Sequence, residues 1–273
     1  MGFFSSLSRG PSREGRPVPR GKSGTRAYAI GDIHGCLDLL DRLLAKIEQD
    51  MAAREAKPTY IIFLGDLVDR GPASAGVVER LMNYRQANAT PIFLAGNHEE
   101  VFLRVLGGEP EILADWLKFG GAECVQSYGM DPVALQRMEP EAAARLIRSK
   151  VPQSHLDFIE GFADTFRFGD YLFVHAGIRP GVDLAQQDQF DLRWIREPFL
   201  SFDDEHGQIV VHGHTITTEV DERANRIGLD TGAYRSGVLT ALAIEDEARW
   251  YLSTAGSSAP AWAGDEAVPK EGR

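Results

Sequence analysis

Five times along this chain an apolar run of strand length stops at a small polar cluster containing glycine. The clusters are Gly31-Asp32-Ile33-His34-Gly35, Gly65-Asp66-Leu67-Val68-Asp69-Arg70-Gly71, Gly96-Asn97-His98-Glu99, His175-Ala176-Gly177 and Gly213-His214-Thr215. The first three follow apolar stretches at 27–30, 60–64 and 91–95. Helical spacing comes after the first two, with Leu39, Leu40, Leu43, Leu44 and Ile47 in 37–51, then Val77, Val78, Leu81 and Met82 in 75–88. A repeated strand, polar loop, helix order implies an α/β fold whose parallel strands are buried on both faces. Residues 99–164 read as a helical insert broken by Gly107-Gly108, Gly120-Gly121, Pro132, Pro140 and Pro152. Only strands are expected after it, at 171–174, 208–211, 226–229, 238–244 and 248–252. A parallel half followed by a strand-rich half predicts two β-sheets packed face to face and flanked by helices.

The ends read differently. Residues 1–25 are rich in Gly, Ser and Pro and carry Arg9, Arg13, Arg16, Arg20 and Lys22, the composition of a disordered basic arm. Residues 255–273 read as a flexible tail, leaving one domain over 26–254. The start Met1-Gly2-Phe3-Phe4-Ser5-Ser6 formally matches a myristoylation pattern, but so short a match is discounted. No apolar run reaches spanning length and no secretory core is present, so a cytoplasmic location without a membrane partner is expected. A monomer is expected as well. Net charge is −11, which argues against non-specific binding to nucleic acid. Affinity for a phosphate would then have to come from a local cationic site. The two cysteines, Cys36 and Cys124, support neither a disulfide framework nor a thiolate zinc site.

In α/β sheets, ligand-binding groups gather in the loops leaving the carboxyl ends of strands, where all five clusters lie. Singly, each has a bland reading: Gly-Asp is a common turn, Asn97 fits an Asx-turn, and Arg70 could pair with Asp69 on the surface. Repetition at successive strand ends, always with oxygen or imidazole donors, is what hydrolysis of a phosphate ester at a two-metal site requires. His212 reads as a packed strand-end imidazole, His155 and His206 as solvated, and Trp116 and Trp194 as core or cleft-rim residues.

These blocks resemble those of the phosphoprotein-phosphatase family of metallophosphoesterases, in its small bacterial and phage branch acting on phosphoserine, phosphothreonine and sometimes phosphotyrosine. Trp116-Leu117 with Gly120-Gly121, Trp194-Ile195-Arg196-Glu197 and Asp230-Thr231-Gly232-Ala233 extend the likeness. The resemblance implies the calcineurin-like metallophosphoesterase fold, with mixed sheets in an αββα arrangement. It implies that Asp32, His34 and Asp66 hold one divalent ion, and that Asp66, bridging, holds the second with Asn97, His175 and His214. Mn²⁺ is favoured, with Fe or Zn²⁺ as alternatives. A metal-bridging hydroxide would attack phosphate gripped by Arg70, Arg196 and Asn97. His98, oriented by Asp69, would protonate the leaving oxygen. The expected partners are phosphorylated proteins or peptides. A symmetrical diadenosine tetraphosphatase-like nucleotide hydrolase shares the same metal blocks, although in that group the position resembling Asp69 is typically not acidic. A non-catalytic phosphate-recognising scaffold is the third reading, and it predicts a lost His98, Asp69 or arginine.

Overall fold

The computed structural model describes residues 18–255. Residues 1–17 of the basic arm and 256–273 of the tail lie outside the described residues. The rest of the expected arm is held to the domain, Arg20 N–H donating to Asp170 Oδ2 at 2.8 Å and Gly21 N–H to Asp246 O at 2.7 Å. The chain begins as β1 (Arg26–Ile30), α1 (Leu37–Ala52), β2 (Thr59–Phe63), α2 (Ser74–Met82) and β3 (Ala89–Phe93). These strands pair in parallel, β1 on β2 and β2 on β3. The insert follows as α3 (Asn97–Gly107), α4 (Leu113–Trp116), a π-turn (Leu117–Gly121), α5 (Ala122–Ser127), α6 (Pro132–Gln136), α7 (Pro140–Lys150) and α8 (Gln153–Glu160). Next come β4 (Thr165–Phe168), β5 (Tyr171–Val174), α9 (Gln189–Trp194), β6 (Ile209–His212), β7 (Asp221–Glu222), β8 (Arg226–Gly228), α10 (Ala233–Ser236), β9 (Thr240–Glu245) and β10 (Ala248–Ser253).

Two five-stranded mixed sheets result, ordered β10-β9-β1-β2-β3 and β4-β5-β6-β8-β7. The period-two alternation of side chains explains how they stack. In β1, Ala27 and Ala29 point into the layer between the sheets with Phe168, Phe173, Val211, Ile227 and Leu242. Tyr28 and Ile30 point the other way, into a core shared with α1, α2 and the insert. The far face of the second sheet is covered by Ile178, Leu192, Ile195 and Phe199. Both faces of each sheet are thus buried, which is why the strands read as unbroken apolar runs.

Four sequence expectations need correction. The second half is not strands only, because α9 and α10 interrupt it. Helix α2 ends at Met82, not near Asn88, where φ is +60° as the chain turns into β3. His155 is not solvated: it is buried, with Tyr128 Oη 3.0 Å from its Nδ1 and Glu79 Oε2 2.9 Å from its Nε2. His206 likewise packs against Phe199 and Phe202. His212 is the packed strand-end imidazole expected, set against Phe199. No described helix is long and apolar enough to cross a membrane.

Candidate active site

At the carboxyl ends of β1, β2, β3, β5 and β6 the chain turns abruptly, and five non-glycine residues adopt left-handed backbone there. They are His34 (φ +45°), Asp66 (+51°), Asp69 (+71°), Arg70 (+66°) and His214 (+62°). Such conformations cost of order 1–3 kcal/mol each and persist only where the surroundings impose them. The imposing contacts are visible. Ile33 and His34 donate their N–H groups to Asp66 O at 3.1 and 2.8 Å, and His214 N–H donates to Asp32 Oδ2 at 2.9 Å. A Cβ at Gly213 would lie 2.0 Å from Asp32 Oδ1, so only glycine admits that carboxylate.

Asp66 is the centre. Asp32, Asp66, Asn97, His98 and His214 are all buried, and His34 and His175 are completely so. Asp66 Oδ2 lies 3.5 Å from His34 Nε2 and 4.0 Å from His98 Nε2, and Oδ1 lies 3.4 Å from His175 Nε2. Asn97 Oδ1 is 3.0 Å from His175 Nε2 and 2.8 Å from His214 Nδ1. Asp66 is therefore shared by two clusters of donor atoms, His34–Asp66–His98 and Asp66–His175–His214, each spanning less than 4.8 Å. Asp32 sits beside them, its Oδ1 buried without a hydrogen-bond partner.

These groups fit a pair of cations. His34 and His175 turn Nδ1 to main-chain carbonyls, Val68 O at 2.9 Å and Leu64 O at 2.8 Å. Donation there places the lone pair of each Nε2 toward the Asp66 carboxylate, acceptor facing acceptor. A positive ion resolves that opposition. The oxygen and imidazole donors suit Mn²⁺, Fe or Zn²⁺, with no thiolate to favour softer metals.

The electrostatics agree. Burial alone would raise the Asp66 pKa, but His175, His98, His34 and His214 hold that carboxyl far below the usual range. Burial, with the Asp230 and Asp66 charges, pushes Asp32 well up. Burial lowers His34, helped by Arg70 and His98, and lowers His175 and His214. His98 differs: burial works against its charged form, yet Asp66 and Asp69 outweigh it and its pKa is raised.

The remaining sequence candidates lie around this centre. His98 Nδ1 is 2.6 Å from Asp69 Oδ2. Arg70 Nη1 is 3.2 Å from His34 Nε2, and its guanidinium lies 4.9 Å from the Tyr234 ring. Arg196 is exposed, close enough for its charge to help depress His214. Sequence reading assigned no site role to four supporting residues. Glu99 accepts from Asp66, Gly96, Leu67 and Val68 N–H, at 2.8, 3.0, 2.7 and 3.3 Å. Its signal was its position three residues after Gly96, which caps α3, where a glutamate folds back on the cap. Asp230, buried beside Asp32, is pushed up to about 6, chiefly by burial. Tyr234 sets its ring edge to His34 at 5.4 Å, and Trp116 bonds Asp69.

Comparison with known proteins gives a consistent family. The calcineurin-like phosphoesterase domain matches residues 25–237. Serine/threonine-protein phosphatase 1 of Salmonella typhimurium is 27% identical over 232 residues, covering 82% of this chain and 94% of its own. An asymmetrical bis(5'-nucleosyl)-tetraphosphatase of Anoxybacillus flavithermus is 25% identical over 239 residues, covering 78% and 88%. A crystal structure provisionally assigned as a diadenosine tetraphosphatase superposes with a TM-score of 0.59 at 20% identity, covering 87% of this chain and all of that one, and so shares the fold.

Proposed function

This chain belongs to the calcineurin-like phosphoesterase family, and on that premise we propose that it is a metal-dependent phosphomonoesterase acting on phosphoserine and phosphothreonine in proteins, with phosphotyrosine a further substrate. Asp32, His34 and Asp66 would hold one divalent cation, and Asp66, Asn97, His175 and His214 the other, Mn²⁺ being preferred. When bound, such ions supply Lewis-acid polarisation of the phosphate and a water acidified toward neutral pH. Arg70 and Arg196 bind the non-bridging phosphate oxygens through charge-assisted hydrogen bonds, with Asn97 beside them. His98 gives the proton on Nε2 to the departing oxygen while Asp69 holds Nδ1. The protein acts as a monomer in the cytoplasm on phosphorylated proteins or peptides.

The observation that carries this reading is the buried 2.6 Å contact between His98 and Asp69. A serine alkoxide is a poor leaving group, and a positioned acid contributes about 10²–10⁴ in rate. The phosphate expelled from a nucleotide anhydride carries its charge without that help, so an intact acid pair favours the monoester. The second reading is a nucleotide hydrolase, favoured by tetraphosphatase relatives that span most of the chain. A side-by-side Mn²⁺-dependent assay on phosphoserine, phosphothreonine and phosphotyrosine peptides and diadenosine tetraphosphate separates them. The peptides are expected to give the higher kcat/KM. A clear preference for diadenosine tetraphosphate would replace the first reading with the second.

A further inference from the structure

Beyond the start of α3, which carries Asn97, His98 and Glu99, the helical insert reaches the site again at the turn after α4. Within Leu117–Gly121, Phe119 and Gly120 leave helical geometry, and Gly120 has φ +116°. Trp116, immediately before this turn, is 3% exposed. Its indole N–H donates to Asp69 Oδ2 at 2.9 Å, the same oxygen that meets His98 Nδ1. Asp69 is fully buried. Its Oδ1 makes no hydrogen bond to nitrogen or oxygen, and the Cys124 thiol beside Asp69 is only a weak donor. Two side-chain bonds to one oxygen therefore set the orientation of this carboxylate. The indole is itself fixed, with Phe102 at 5.6 Å between ring centroids and so little room behind it that a Cβ on Gly121 would lie 2.5 Å from the ring. The next residue but three reaches the other half of the same loop. Gly120 O accepts the Arg70 N–H at 3.0 Å, and a Cβ on Gly120 would lie 2.6 Å from Arg70 Cγ.

We propose that Trp116 is a positioning residue for leaving-group protonation: its indole N–H, held out from the helical insert, fixes the Asp69 oxygen that orients His98. This role rests on the phosphomonoesterase reading above. A buried carboxylate lacking donors is unstable as an anion, and one held by a single donor can swing toward its open oxygen. With the indole in place, the His98 imidazole keeps one direction, and its acid proton stays aimed where the leaving oxygen departs. The adjoining Gly120 carbonyl sets Arg70 from the same turn, so the insert controls proton delivery through Trp116 and phosphate grip through Gly120.

Trp116→Phe keeps an aromatic ring against Phe102 and removes the N–H. We expect kcat toward a phosphoserine peptide to fall roughly tenfold, the rate equivalent of one hydrogen bond to a charged group. KM should be unchanged, and turnover of 4-nitrophenyl phosphate, whose leaving group needs no acid, should stay within about twofold. Phe102→Leu loosens the same packing without touching the N–H, and should affect both substrates alike. Equal losses on both substrates in Trp116→Phe, or no loss on either, would overturn the positioning role. A second readout does not depend on activity. Among the four tryptophan indole signals of the ¹⁵N-labelled protein, the one absent in Trp116→Phe should move upfield in Asp69→Asn. An unmoved signal also overturns the proposal. A wild-type protein inert toward both esters would sink the phosphatase reading separately, and the indole signal would then decide whether Trp116 holds Asp69.

Discussion

Two adjacent glutamates on α3 offer an internal comparison of what burial does to one chemical group. Glu99 is 1% exposed, and its two oxygens accept four main-chain N–H groups from the loop that carries Asp66 and from Gly96. Glu100 is partly exposed and pairs with Arg104 and Arg193. In Glu99→Gln the amide nitrogen replaces one oxygen and faces two N–H donors, so two bonds are lost and two buried donors are left unsatisfied. At about 1–3 kcal/mol for each of the two unsatisfied groups, the loss totals about 2–6 kcal/mol. For a domain of this size that lowers Tm by about 10 °C. Glu100→Gln removes surface pairs and should cost less than about 1 kcal/mol. Thermal unfolding of both variants in EDTA, followed by circular dichroism, measures the difference without any contribution from bound metal. A Glu99→Gln Tm within about 2 °C of wild type would refute the claim that Glu99 holds the Asp66 loop in its left-handed turn.

Two further outcomes follow from the same geometry. His98 has a raised pKa, so its charged form contributes stability that is present below its ordinary 6.5 and is lost as pH rises through the folded value. His98→Asn should therefore destabilise the metal-free protein more at pH 6 than at pH 9, and urea titrations showing the reverse order would contradict the pairing with Asp66 and Asp69. Gly213→Ala places a methyl group 2.0 Å from Asp32 Oδ1 and must displace that carboxylate. Such displacement should lower kcat/KM about 100-fold while far-ultraviolet dichroism is retained, and unimpaired turnover would remove Asp32 from the site.

The layered fold and the inner ring of the site were legible because their signals are local. Each donor cluster directly follows its own strand, so position marks the clusters, while the family resemblance singled out Asp32, His34, Asp66, Asn97, His175 and His214 within them. Supporting residues carry no such mark. Trp116 reads as core from its neighbours, and its polar partner Asp69 lies 47 residues away. His155 stands among polar residues, yet its partners are Glu79 on α2 and Tyr128 just after α5. Asp230 belongs to a stretch noted for its resemblance, but its burial beside Asp32 depends on how β1 and β8 are brought together across two sheets. Strand β7 has two residues, too few for any alternation to register.

Whether Asp66 joins two cation sites is measured most directly by metal content. After dialysis against Mn²⁺ and removal of free ions, mass spectrometric analysis should find two metal ions for each wild-type chain and fewer than one in Asp66→Ala. Equal metal content in the two proteins, or a wild-type chain that retains none, would contradict the shared carboxylate.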